Sequence, residues 1–129
     1  GTNIEDAVSF ANKSNIDAMA ISVGNTHLQT SKKASIDFNK INLIESKTKI
    51  PLVLHGSSGI PVEQRKKLAR KTKVAKLNIG TEIRMTFGKA LRKNLKNNPK
   101  TYDRLQLLKP TIKDLTKVTK KIIKQIGPN

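Results

Sequence analysis

The sequence predicts an α/β fold built on three parallel strands, and three observations lead to that expectation. Three short apolar runs, Asp17–Val23, Ile50–Leu54 and Val74–Ile79, each end in small or polar residues. Runs of this length without strict alternation read as strands buried on both faces of a parallel sheet. Helical patterns separate the runs, and such alternation implies βαβ units with right-handed crossovers. The 129 residues contain no Cys and 3% aromatics, so core volume falls to Ile, Leu, Val and Ala. Disulfides, thiolate metal sites and cysteine nucleophiles are excluded.

Strands are expected near 16–23, 50–55 and 74–79. Pro51 opens the second run, where a strand tolerates it. The first helix, Ile4 to Lys13, groups Ala7, Val8, Phe10 and Ala11, with Thr2 or Asn3 as N-cap. Phe38 to Lys47 carries Ile41, Leu43 and Ile44. Pro61 sits at the expected first position of a helix running to Lys71. Thr81 is an expected N-cap for Glu82 to Leu95, and Asn97-Asn98-Pro99 breaks the chain after it. The last helix aligns Ile112, Leu115, Val118, Ile122 and Ile126 in one apolar stripe opposite lysines. The order is αβαβαβαα, one domain over residues 1–129. Three parallel strands leave two unpaired edges. An eight-stranded α/β barrel takes about 250 residues, so this chain reads as one side of such a barrel: its last three βα units and a C-terminal helix.

Formal net charge is +17. Residues 89–129 hold twelve Lys or Arg against Asp103 and Asp114, and a second cluster from Arg65 to Lys76 faces only Glu63. Such surfaces favour anionic partners, phosphorylated metabolites among them. Neither an aromatic stacking platform nor a recognition motif supports nucleic acid, which is not expected as a partner. No apolar run approaches the roughly 20 residues of a membrane span. No basic-then-apolar leader opens the residues given, and a cytoplasmic location is expected.

Ligands of α/β folds bind at the carboxyl ends of the strands. There the sequence puts Gly24-Asn25-Thr26-His27, His55-Gly56-Ser57-Ser58-Gly59, and Asn78-Ile79-Gly80-Thr81. Both histidines of the protein fall in these segments. They are candidate ligands of a divalent metal, or ordinary loop histidines; a catalytic zinc needs about three protein ligands and an open position. Gly56, Ser57 and Ser58 lead toward one helix and Gly80 and Thr81 toward the next. Small residues before a helix N-terminus offer amides to an anion, although they also serve as plain caps.

Ile21–His27, Pro51–Pro61 and Val74–Ile83 together resemble the C-terminal half of class II ketose-bisphosphate aldolases, and the resemblance runs the length of the chain. It implies a (β/α)8 barrel and zinc-dependent, reversible cleavage of a ketose 1,6-bisphosphate, in glycolysis, to dihydroxyacetone phosphate and an aldehyde phosphate. It further implies that His27 and His55 are two of three zinc ligands. Gly56, Ser57 and Ser58 match one phosphate loop; Asn78, Ile79, Gly80 and Thr81 match the second. The third zinc histidine and the catalytic aspartate belong to the N-terminal half of the family's barrel, so no catalytic residue is expected here and the chain alone is expected to be inactive. Its partners would be a sugar phosphate and either an N-terminal half or a second copy, with no membrane. Leu28 departs from the family pattern, which has Gly after the first histidine. The competing expectation is a non-catalytic module binding polyanions through its lysines.

Overall fold

The computed structural model describes residues 1–25, 27, 28 and 30–127. Its elements run α1 (Ile4–Lys13), β1 (Met19–Ile21), α2 (Phe38–Lys47), β2 (Leu52–Leu54), a 3₁₀ turn (Ser57–Gly59), α3 (Val62–Lys71), β3 (Val74–Leu77), α4 (Thr81–Asn97), α5 (Arg104–Leu108) and α6 (Thr111–Ile126). The sheet is parallel in the order β1-β2-β3, with Ala20 opposite Val53 and Val53 opposite Lys76. The register shifts by one residue between Leu52–Val53 and β3, leaving Ala75 as the extra residue.

Helices cover one face of the sheet. Ala7 and Ala11 of α1, Ile41 and Ile44 of α2 and Leu68 of α3 close over Met19, Ile21, Leu52, Leu54 and Val74. Only β2 is buried along its whole length; β1 and β3 expose Ala20, Ala75 and Lys76. The expectation of strands buried on both faces therefore holds for β2 alone. The row Ala20–Val53–Lys76 lies on the face the helices leave uncovered, which in a closed barrel is the interior.

Local chemistry sets the helix starts. Asn3 is the N-cap of α1, its Oδ1 accepting from the Asp6 N–H at 3.1 Å, and Asp37 caps α2 by accepting from Lys40. Pro61 stands at the N-cap of α3, one residue earlier than expected. Thr81 is not the cap of α4: Gly80 holds that place and Thr81 is the first helical residue. A short extra helix, α5, follows the Asn97–Pro99 break, capped by Asp103. α6 packs against α4 and α3. Its stripe is only partly covered, since Ile122 is buried while Ile112 is exposed.

Candidate metal and phosphate site

The carboxyl ends of the strands gather the predicted residues at one end of the sheet. His27, His55, Gly56, Ser58, Asn78, Ile79, Gly80 and Thr81 line a single cleft of about 430 Å³, joined by Leu28 and Arg84. Ser57 is fully buried beneath it. Thr26 lies outside the described residues.

β2 delivers His55 at its end and Gly56 then turns the chain with φ 63°, the left-handed region open to glycine. Four hydrogen bonds fasten this turn. The Asn78 N–H donates to Leu54 O at 2.9 Å, the Ser57 N–H to Asn78 O at 3.2 Å, and the Ser57 hydroxyl to Leu54 O at 3.0 Å. The Asn25 amide nitrogen donates to His55 O at 2.8 Å. Asn25 also accepts from the Val23 N–H at 2.7 Å, so one side chain ties the end of β1 to the end of β2. No role for Asn25 follows from its motif; an Asn beside a strand-ending Gly is the signal the sequence carries.

The rings of His27 and His55 face each other with centroids 5.8 Å apart and planes inclined at 50°. Two imidazoles bound at 2.0–2.1 Å to one tetrahedral zinc put their centroids roughly 5 Å apart, a separation close to that of this pair. Both residues are exposed. The Asn78 amide nitrogen lies 3.2 Å from Nδ1 of His55 and 3.4 Å from Nε2. Contact with both nitrogens fixes where the ring sits without selecting a tautomer. Among the described residues no group of three His, Asp or Glu could hold a metal. The donor set thus fits two ligands of a zinc site and not a complete one.

One side of the cleft rests on an ion network, centred on a buried arginine, that the sequence concealed. Arg65 was expected on a cationic surface; it is fully buried. Its Nη2 donates to Glu82 Oε2 at 2.9 Å, and its Nη1 to Gln125 Oε1 at 2.9 Å. Lys32 joins the same Glu82 oxygen at 3.0 Å. Burial alone would raise the Glu82 carboxyl, but the hydrogen bonds and charges of Arg65 and Lys32 outweigh it and hold the group below the ordinary glutamate range. Glu82 therefore turns toward Arg65 and Lys32. Ser58 does not cap the helix that follows it: its hydroxyl accepts from the Glu82 N–H at 3.1 Å, capping α4 from across the cleft. Arg84, one turn into α4, is a cation at the cleft that sequence reasoning missed.

The class-II fructose-bisphosphate aldolase family matches this sequence over residues 1–129. The chain belongs to that family. A 6-phospho-5-dehydro-2-deoxy-D-gluconate aldolase of Shouchella clausii (strain KSM-K16) is 33% identical over 125 residues, covering 97% of this chain and 42% of the relative. The crystal structure of the YdjI aldolase from Escherichia coli K12 superposes with a TM-score of 0.75 at 26% identity, over 98% of this chain and 44% of that one. The three-stranded sheet and its helices are thus one part of the aldolase barrel. The chain spans less than half the length of these two aldolases.

Proposed function

We propose that this chain supplies two metal-binding histidines and the phosphate-binding end of a class-II aldolase acting on a phosphorylated ketose. The observation that carries the proposal is the approach of His27 and His55 to 5.8 Å in the cleft lined by Gly56, Ser58, Gly80 and Thr81. A divalent cation held by the two histidines would polarise the substrate carbonyl. The Asn78 amide nitrogen would keep the His55 ring in the cleft and give up the ring's lone pair to the cation. Free amides at the 3₁₀ turn and the start of α4 receive the phosphate, with the α4 dipole and Arg84 adding favourable charge. Reversible cleavage of a ketose 1,6-bisphosphate to dihydroxyacetone phosphate and an aldehyde phosphate is the reaction we assign, with zinc as the cation.

The third ligand and the acid/base residue would come from the remaining barrel, whose strands would pair with the open edges of β1 and β3. Loss of a positioned acid/base alone costs about 10²–10⁴-fold in rate, so this chain by itself should show no turnover. The test is cleavage of fructose 1,6-bisphosphate and of 6-phospho-5-dehydro-2-deoxygluconate with added zinc, by the chain alone and with a separately made N-terminal half. Turnover only in the second case, lost in His55→Ala, supports the proposal. Turnover by the chain alone that survives His55→Ala refutes it. The net charge of +17 favours a second reading, a non-catalytic polyanion-binding module. That reading gains if zinc and both halves together give no cleavage while polyphosphate binds the helices.

A further inference from the structure

We infer that Arg65 is a positioning residue for the phosphate site: it aims the Ser58 N–H into the cleft and links that donor to helix α6. The inference rests on the reading of the 3₁₀ turn as a phosphate loop.

The geometry begins with the peptide bond between Ser57 and Ser58. In a planar trans peptide the carbonyl and the following N–H point in opposite directions. Nη2 of Arg65 donates to Ser57 O at 3.1 Å and to Ser58 O at 3.4 Å. Pulling Ser57 O down toward the buried guanidinium turns the Ser58 N–H up, toward the side where Gly56 and Ser58 line the cleft. With the Gly59 N–H, it is one of two in the turn that have no acceptor among the described residues. The Ser57 N–H is taken by Asn78 O, and the Ile60 N–H by Ser57 O. Among the described residues the Ser58 N–H donates to nothing. Ser58 is itself buried, and a buried main-chain donor without an acceptor is costly unless a ligand or water completes it.

Arg65 reaches further than the turn. Glu82 Oε2 shares Nη2, which sets the first turn of α4 against the same peptide. Gln125, near the end of α6, accepts from Nη1 and is itself buried. One planar guanidinium therefore holds the phosphate loop, the α4 start and α6 in fixed relation, a geometry its fork of donors permits and a lysine ammonium does not. Its Nε is buried without a partner, so the group is retained at a local cost in hydrogen bonding. A methionine of similar volume would fill the space, and Glu82 would keep Lys32. The expected loss is therefore in aim more than in stability.

The test measures inorganic phosphate binding by titration calorimetry and by the amide shift of Ser58, and zinc binding by chelator competition, in the intact protein. Arg65→Met should weaken phosphate at least tenfold, abolish the Ser58 shift, and leave zinc affinity within twofold. Arg65→Lys should recover part of the phosphate affinity. Gln125→Leu, which touches only the α6 end of the network, should weaken phosphate two- to threefold and carries the test if Arg65→Met does not fold. Phosphate affinity unchanged in Arg65→Met, or in Gln125→Leu where that variant carries the test, overturns the inference while leaving the site intact. So does a parallel loss of phosphate binding, zinc binding and melting temperature, which a merely structural arginine would give. Absence of phosphate binding by the unmutated protein overturns the site and the inference together.

Discussion

The two histidine-bearing loops are built in different ways. The His55 loop is short and clamped: Asn25, Asn78 and Leu54 fix its main chain, Asn78 holds its ring, and Arg65 grips the peptides beyond it. The His27 loop is long, and its described ties all lie in its second half: Lys32 Nζ donates to Ser58 O and Glu82, and the Ala34 and Ile36 N–H groups donate to Gly59 O and to the Gln64 side chain. Its base depends on Gly24, and beside His27 it carries Leu28 in the left-handed region at φ 57° with 75% of its surface exposed. One histidine is thus held before any ligand arrives, while the other stands on a loop anchored mainly in its second half. If the proposed cation binds here, His55 would set its position and His27 would adjust to it.

The largest effect should come from breaking the base of the adjustable loop. Gly24 has φ +97°, and a Cβ there would lie 2.0 Å from Ser35 O. Gly24→Ala should cost about 4 kcal/mol, since both conformation and backbone clash oppose it. Urea unfolding measures this; an unshifted midpoint would show that the loop has another way home.

Next in size is the network under the clamped loop. Glu82→Gln leaves Arg65 buried with its charge unmatched and should cost about 3 kcal/mol at neutral pH. The pH dependence has a definite sign. Glu82 titrates below the ordinary value of 4.5 in the folded state, so its contribution is complete above that value and is lost as pH falls through the folded one. The gap between Glu82→Gln and the unmutated protein should therefore close on acidification below pH 4.5. A gap that stayed constant from neutral to acid pH would mean that Glu82 carries no charge worth holding.

Two asparagines separate the clamp into structure and function. Asn25→Ala removes the tie between β1 and β2 and should cost about 2 kcal/mol, because it strands the Val23 N–H and His55 O. Asn78 does its structural work through its main chain, while among the described residues its side-chain amide meets only the His55 ring. Asn78→Ala should leave the unfolding midpoint nearly unchanged and weaken zinc binding about tenfold, the usual scale for losing a group that orients a ligand. Equal effects of the two variants on stability would erase the distinction between them.

Much of this architecture was legible in the residues. The three strands, the bounds of α1 and α2, and the meeting of His27, His55, Asn78 and Gly80 at one end follow from apolar runs, caps and the rule that strand ends bind ligands. Arg65 was not legible. It sits among six other cations between Lys66 and Lys76, and helical spacing alone does not say that its face is the one turned toward Glu82. Sequence shows near neighbours, so the role of Ser58 is hidden: its hydroxyl serves a helix 24 residues away. The exposed faces of β1 and β3 were misread for a related reason: a barrel strand looks doubly buried in sequence even where its inner face waits for strands the chain does not contain.

The smallest effect sharpens the comparison most directly. Leu28 occupies a backbone conformation that costs an L-residue roughly 1–2 kcal/mol, and its exposed side chain returns little by burial. Leu28→Gly removes that strain but also loosens the unfolded chain, which offsets about 0.5–1 kcal/mol of the gain. The net change in stability should be a gain of about 0.5 kcal/mol. Binding should respond more clearly. Leu28 lines the same cleft as Thr81 and Arg84, where a phosphate would approach the α4 start. Without a Cβ its own N–H can face that anion, and phosphate should bind two- to threefold tighter while zinc affinity stays the same. Weaker phosphate binding in Leu28→Gly would mean that the leucine orders the His27 loop, and that this loop is more fixed than its sparse anchoring implies.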